Sequence, residues 1–300
     1  RAGVGIHLYC VASAVCCGTR TQGAFVRLPE KPPLLSHMSD DISSILDSWQ
    51  FDPDEPVVRI IRGADGREKV QMRVDLGVLQ MEMAGRPDGQ RPFGCESLLE
   101  HYRREQQAYE SAHLDSAPFE LDHEACARLW RARVQYYHRY LAFWILELFD
   151  LCARDTRHNL ELFEFARNHA PEEHIKFHFD QWRPYVTMMH TRAVATPMLQ
   201  QNHLGGALHV IDQGIDRIHD FLDEYDLNDK EEACQELQNL ERWREEILAR
   251  DNWEEESEPT ARIEVLRRQL RAAIQNEAFE EAASLRDQIR RLSEERPADS

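Results

Sequence analysis

The strongest constraint on the fold is a helical period of apolar residues that runs through most of the sequence after residue 95. Its longest part begins at Asp122 or His123 and continues to Asp155, which predicts one long helix. The segment 140–151 is apolar on nearly every side, and a helix of that kind is usually buried. We therefore expect the centre of a helical bundle, with its aromatic residues in the core rather than around a cofactor: Trp130, Tyr136, Tyr137, Tyr140, Phe143, Trp144 and Phe149.

Shorter periodic segments predict further helices on both sides of it, over residues 95–111, 158–170, 171–201, 205–226 and 229–251. Pro171 suits a first helical turn. Pro184 lies inside the periodic pattern and should kink or break the helix there. Glycine and proline are sparse at 13 each, which argues against an all-β architecture. The predicted fold class is mainly α.

A different period occurs near the start of this region. Alternating apolar residues and two turn signals, Ala64-Asp65-Gly66 and Arg86-Pro87-Asp88-Gly89, predict three short antiparallel strands near 56–62, 68–75 and 78–84. A short capped helix is predicted before them over residues 39–49, with Ile42, Ile45, Leu46 and Trp49 on one face. The helices that follow should cover the apolar face of this small sheet.

These segments divide the chain into five regions. Residues 1–37 differ from the rest and are interpreted as an extension that does not fold, with a short secretion signal as the alternative. The other regions are an α+β region with a β-meander at 38–115, a helical bundle at 116–251, an acidic linker at 252–259 and a helical hairpin at 260–296. We call the last region the terminal hairpin.

The charge of the chain limits its partners. The formal net charge is −18, and the acidic residues are concentrated between residues 220 and 258. Since a protein that grips a phosphate backbone needs a basic face, direct nucleic-acid binding is not expected. No segment is long and apolar enough to predict a membrane span.

The cysteines indicate a reducing compartment. There are seven of them, widely spaced and without a CxxC pair. This pattern predicts free thiols in a cytoplasm and excludes a structural zinc site built from paired CxxC motifs. The segment that follows Met38 is typical of a bacterial protein start, so the chain is interpreted as a cytoplasmic bacterial protein.

The terminal hairpin consists of two short helices with narrow apolar stripes of the coiled-coil kind. The stripe residues are Ile263, Leu266, Leu270 and Ile274 in the first helix, and Phe279, Ala282, Leu285, Ile289 and Leu292 in the second. Ala282 and Ala283 would let another helix approach closely, and Arg286 and Asp287 are expected to face outward. A hairpin of this size buries too little apolar area to be stable alone, so it needs a further surface.

The stretch FEEAASLRDQI, residues 279–289, resembles the UVR motif, a helical hairpin found in the excinuclease subunits UvrB and UvrC. Similar hairpins occur in some Clp-type chaperones and their regulators. The family pattern is F-E-x-A-A-x-L-R-D-x-I, and eight residues match it: Phe279, Glu280, Ala282, Ala283, Leu285, Arg286, Asp287 and Ile289. The helicase and nuclease domains of that family are not visible in this sequence, which also lacks a GxxxxGK[ST] motif.

The resemblance implies a protein–protein interaction adaptor. The partner would be another UVR hairpin, in an excinuclease subunit or a Clp-type chaperone, or a second copy of this chain. A role as an accessory protein of nucleotide-excision repair is a further alternative. The whole chain from Met38 also resembles uncharacterised bacterial proteins that end in a UVR hairpin.

An internal similarity links residues 201–215 with 275–289, and both segments are interpreted as the bend and second helix of a helical hairpin. The first of them also resembles a single degenerate tetratricopeptide repeat. Gly205 and Gly206 stand where better helix formers would be expected. Two copies do not predict a solenoid, which normally needs about three repeats.

Two sets of residues suggest other chemistry. The loop GRPDGQRPFG, residues 85–94, carries Arg86 and Arg91 and could bind an anion, which would make the small sheet a ligand-binding or enzymatic module. His174 and His178 have the i, i+4 spacing that can hold a metal ion. The alternative for the loop is a tight turn without a ligand. The alternative for the two histidines is a surface or packing role. No catalytic constellation and no cofactor fingerprint are visible, so a non-enzymatic protein without a cofactor is expected.

Overall fold

The computed structural model describes residues 41–55, 57–113, 117–256, 266–267, 270 and 279–294. They form a mainly helical fold with a small three-stranded antiparallel sheet, which confirms the predicted fold class. The chain divides into two units, residues 1–42 and 43–300, and the elements below belong to the second. The predicted extension over residues 1–37 lies outside the described residues.

All three predicted strands are present, and they pair in the order β1 Val58–Arg62, β2 Glu68–Val74 and β3 Gly77–Glu82. Val70 on β2 lies opposite Ile60 of β1 on one side and Met81 of β3 on the other. Val70 is completely buried and Met72, two residues on, is 3% exposed. The predicted alternation therefore places one apolar face of the sheet in the core, because successive side chains of a strand point to opposite faces.

A short helix, α1 Ser43–Ser48, precedes the sheet. Trp49 follows it and is buried, with the guanidinium of Arg59 at 3.9 Å from its ring centroid. Arg73 Nε donates a hydrogen bond of 2.9 Å to the Trp49 carbonyl. Ile45, which was predicted on the same face, is 39% exposed. The observed helix is shorter than the predicted one, which covered residues 39–49. Its contacts with Arg59 and Arg73 place Trp49 against the polar face of the sheet.

The helices of the bundle are α2 Leu98–Ala112, α3 His123–Ile145, α4 Phe149–His169, α5 Glu173–Asp180, α6 Arg183–Gln200, α7 Leu204–Glu224 and α8 Gln235–Glu256. One core cluster joins α2, α3, α4, α5 and α6, and a second joins α6, α7 and α8. The apolar stripe predicted for the helix over 205–226 is largely buried, at Ala207, Ile211, Ile218, Phe221 and Leu222.

The prediction of one continuous helix from residue 122 to 155 is wrong, because the structure has two helices there. Residues 140–143 are buried as expected, but α3 ends at Ile145 and α4 begins at Phe149. Glu147 between them has a φ of 59°, and the Leu148 N–H donates to the Phe143 carbonyl at 2.8 Å. This turn allows α4 to pack against α3. The apolar composition around the turn gives no sequence signal for the break.

Of the two proline predictions, the one for Pro184 is confirmed and the one for Pro171 is wrong. A break occurs ahead of Pro184, because α5 ends at Asp180 and Pro184 lies in the first turn of α6. A proline is tolerated there since the first helical N–H groups have no intrahelical acceptor. Pro171 lies two residues before α5 rather than inside its first turn.

The structure bears on two of the predicted regional boundaries. Helix α2 falls in the predicted 38–115 region, yet its buried Leu98, Leu99 and Tyr102 belong to the same core cluster as α3 and α4. Helix α8 continues to Glu256, so the backbone of residues 252–256 of the predicted linker is helical. None of the helices in the described part of the chain is both long and apolar enough to cross a membrane.

Two histidines in the bundle should make stability depend on pH. Burial, together with nearby arginines, lowers the pKa of His158 to about 3 and that of His190 to about 4. His158 stacks on Tyr136 with ring centroids 3.9 Å apart, and His190 Nδ1 lies 3.0 Å from Thr156 Oγ1. Because both pKa values lie below the ordinary value of 6.5, the unfolded state binds more protons than the folded state between pH 6.5 and 4. We expect the free energy of unfolding to decrease between pH 6.5 and 4.

Urea unfolding at a series of pH values checks this expectation. His158→Gln removes one titrating group. The slope of the free energy of unfolding against pH should therefore decrease by the equivalent of about one bound proton. His209→Gln, at an exposed position of α7, is the control variant. Equal slopes for His158→Gln and His209→Gln would show that His158 stays protonatable in the folded chain.

Candidate functional site

The terminal hairpin has an apolar cluster of its own. Its second helix is α9 Phe279–Glu294, and the backbone is also helical at 266–267 and 270. Leu285 is buried and packs against Leu266 and Leu270, which are half-buried. The two described core clusters of the bundle contain none of these leucines. Three of the predicted stripe residues are thus brought together.

The remaining predicted partner-binding residues divide into two groups. Ala283 is exposed, Ile289 is half-buried, and Arg286 Nη2 lies 3.2 Å from Asp287 Oδ1 at the surface, so this pair faces outward as predicted. Arg290 joins the pair at 3.6 Å from the same oxygen. Outside the described residues or side chains lie Ile274, Phe279, Ala282 and Leu292.

The GRPDG loop follows β3 and turns sharply onto α3. Gly85 and Gly89 adopt φ values of 64° and 72°, a left-handed conformation that other residues rarely take. A Cβ atom at Gly89 would also lie 3.2 Å from Glu82 Cγ. The two glycines are therefore required by the path of the backbone, as expected for a tight turn.

Both arginines of this loop already have partners. Arg86 lies 3.0 Å from Asp88 Oδ2 and donates to Gln135 Oε1 of α3 at 3.3 Å, and its side chain is only 14% exposed. Arg91 is more exposed and pairs with Glu96. An anion at this loop would have to compete with these carboxylates, and anion binding here stays an untested prediction.

A buried ionic network that sequence reasoning missed holds the loop in place. Arg139 of α3 donates to Asp155 of α4 at 2.6 and 3.0 Å, and each side chain is 1% exposed. Two further N–H groups of Arg139 donate to the carbonyls of Glu82 and Gly85, both at 2.8 Å. Arg154 donates to Asp155 Oδ1 at 2.9 Å. We call this set the Arg139 network, and it joins the sheet to α3 and α4.

The two histidines predicted as metal candidates have different surroundings. His174 is 75% exposed and lies 3.0 Å from Glu172 Oε2. His178 packs on Trp130, with ring centroids 3.8 Å apart, and burial lowers its pKa. Neither belongs to the group of convergent metal-ligand atoms found among the described residues. A metal site at this pair stays a prediction.

A polar cavity of about 590 Å³ lies where α4, α5, α6 and α7 meet. Asp180 is buried at its wall and accepts hydrogen bonds from Arg183 at 2.6 Å and from the Tyr225 hydroxyl at 2.9 Å. Burial raises the pKa of this carboxyl despite the nearby arginines. Arg167 and Arg183 also pair with Glu224, so the charges are largely compensated within the protein. This arrangement is typical of a structural ion-pair cluster.

Comparison with known protein families gives a match at the end of the chain. The family model described as "UvrB/uvrC motif" (UVR) matches residues 260–295, which contain α9 and the leucine cluster. No curated protein and no solved structure matches the chain. The match confirms the resemblance based on residues 279–289. The chain therefore contains a UVR motif at residues 260–295.

Proposed function

We propose that this chain is a non-catalytic adaptor, and that its terminal hairpin binds a second UVR hairpin. The observation that supports this most directly is the small interior of the hairpin. Of its described side chains only Leu285 is buried, against two half-buried leucines. Full burial of a leucine contributes about 1.5–3 kcal/mol. Ordering the backbone costs about 1–2 kcal/mol per residue, so a partner surface is needed.

The nature of the partner follows from the motif. UVR motifs generally mediate interactions in excision repair, and this motif matches residues 260–295. The candidate partners are an excinuclease subunit, a Clp-type chaperone with such a hairpin, or a second copy of this chain. The net charge of −18 supports a protein partner over direct contact with nucleic acid. We infer a cytoplasmic location from the unpaired cysteine pattern.

A pair of neighbouring substitutions tests the adaptor role. Ala283 matches the small position of the motif, whereas Ser284 occupies a variable position, and both are exposed on α9. Ala283→Arg should weaken binding of an excinuclease UVR hairpin, or self-association, at least tenfold, because the large side chain prevents close helix approach. Ser284→Arg adds the same charge beside it and should bind like the unchanged chain. Biolayer interferometry measures binding of the excinuclease hairpin, and light scattering measures self-association.

Deletion of residues 259–300 gives the second comparison. The shortened chain should keep the thermal unfolding of the bundle and lose the partner that the full chain binds. Equal binding by the Ala283→Arg and Ser284→Arg variants, or by the shortened and full chains, would contradict the proposal. So would a lack of binding to every UVR hairpin tested and to itself.

A further inference from the structure

Three potential metal ligands meet at the junction of α7 and α8. They are His219 in α7, Glu231 in the 3-10 turn Asn228–Ala233, and Glu241 in α8. One ligand atom from each lies within 4.8 Å of the others, and His219 Nδ1 is 3.9 Å from Glu231 Oε1. Among the described residues, this is the group in which three ligand atoms of histidine, cysteine or carboxylate side chains all lie within 4.8 Å of one another.

The fold supports the positions of two of these ligands. His219 follows Ile218, and Glu241 follows Leu240, and both apolar residues are completely buried. Helices α7 and α8 pack against each other, so the backbone beneath the two ligands is part of the packed bundle. Glu231 is on the short turn between the helices, and its side chain is 48% exposed. It is the ligand that can adjust.

The charges at this junction favour a cation. In the part of the chain that the structure describes, neither Glu231 nor Glu241 forms an ion pair with lysine or arginine. Two carboxylates this close repel each other unless a positive charge lies between them. Residues 220–258 are also strongly acidic, which raises the local concentration of cations. The His219 imidazole beside them adds a nitrogen ligand to the two carboxylates.

The donor set selects a class of metal ion. Imidazole with carboxylates suits zinc and similar divalent transition metals, whereas magnesium and calcium prefer oxygen ligands alone. Zinc bonds of about 2.0–2.2 Å would bring these donor atoms closer together than they are here. The exposed Glu231 side chain can supply most of that movement. Three protein ligands leave at least one coordination position of the metal for water, as in zinc sites with three protein ligands.

We propose that His219, Glu231 and Glu241 form a binding site for a divalent transition-metal ion of the zinc class. An ion held there links the 3-10 turn to both helices. Since it binds the folded chain and not the separated ligands of the unfolded one, it stabilises the α7–α8 region. This site lies in the bundle and does not depend on the proposed adaptor function.

Isothermal titration of the full chain with zinc chloride, with thiols kept reduced, tests the site. His219→Ala, Glu231→Gln and Glu241→Gln should each weaken one zinc site at least tenfold. His209→Ala is the matched control, because His209 is an exposed histidine on the same helix. Zinc should also raise the thermal unfolding temperature of the unchanged chain by several degrees, and calcium or magnesium should not.

Cobalt substitution gives an independent measurement. Cobalt bound by nitrogen and oxygen ligands has a visible absorption spectrum, which should disappear in His219→Ala and persist in His209→Ala. Circular dichroism of each variant shows whether the helices are retained. The proposal is overturned if the unchanged chain binds no zinc, or if His219→Ala and the unchanged chain bind zinc and cobalt equally.

Discussion

Replacement of Asp155 with alanine is expected to lower the free energy of unfolding by about 3–5 kcal/mol, since it leaves a buried charge without its partner. Arg139 is completely buried, and Asp155 is its only anionic partner among the described residues. The two backbone carbonyls that Arg139 also binds cannot neutralise its charge. Urea unfolding followed by circular dichroism measures the loss.

A surface ion pair of similar length provides the control. Arg103 and Glu161 lie 2.9 Å apart, with side chains 46% and 41% exposed. Exposed pairs contribute only about 0–1 kcal/mol, so Glu161→Ala should be nearly neutral. If Asp155→Ala and Glu161→Ala unfold at the same urea concentration, burial does not determine the strength of the Arg139 network.

A double variant separates the buried charge from the lost contact. Arg139→Met with Asp155→Leu removes both charges and keeps apolar volume, and replacing a buried pair in this way is often tolerated. It should recover part of the stability lost in Asp155→Ala. Recovery should be incomplete, because the carbonyls of Glu82 and Gly85 would lose their hydrogen-bond donor.

The small sheet and the helical class could be predicted because their signals are local. Alternation through Val70 and Met72 sets the buried face, and an Asp-Gly turn sets the first hairpin. The break between α3 and α4 could not be predicted, because the turn around Glu147 lies within apolar sequence and depends on α4 packing back onto α3. Its cause is tertiary.

The same distinction applies to the candidate sites. The UVR motif could be identified because its pattern is contiguous, and Leu285 is buried as the pattern requires. The Arg139 network and the ligands around His219 join residues from separate elements, so no spacing in the sequence indicates them. One weak signal existed, since Arg139 lies in the middle of an otherwise aromatic helix face where a charged residue needs a partner.

Gly214 offers a second large effect, because it lies at the close approach of α6 and α7. A Cβ atom at Gly214 would be 2.8 Å from Thr191 Cγ2 and 3.0 Å from its Cβ, and nearer still to its hydroxyl oxygen. Both residues are buried. Gly214→Ala should therefore destabilise the chain by about 1–3 kcal/mol through overpacking. Gly214→Val should cost more.

The control is another glycine of the same helix. Gly205 is exposed and has no atom within 4 Å of an added Cβ. Gly205→Ala should therefore stabilise the chain by about 0.4–1 kcal/mol, because it reduces the conformational freedom of the unfolded state. The same chemical change is thus expected to have opposite signs at two positions of α7, as measured by urea unfolding.

Rescue by a second substitution identifies the cause. Thr191→Ala removes the hydroxyl and the methyl group that an added Cβ at Gly214 would meet first. In that background Gly214→Ala should cost less than in the unchanged chain, so the two effects should not add. Full additivity would mean that α6 and α7 are farther apart than the structure places them. A stabilising Gly214→Ala would mean that helix propensity, worth about 1 kcal/mol, outweighs the steric contact at this crossing.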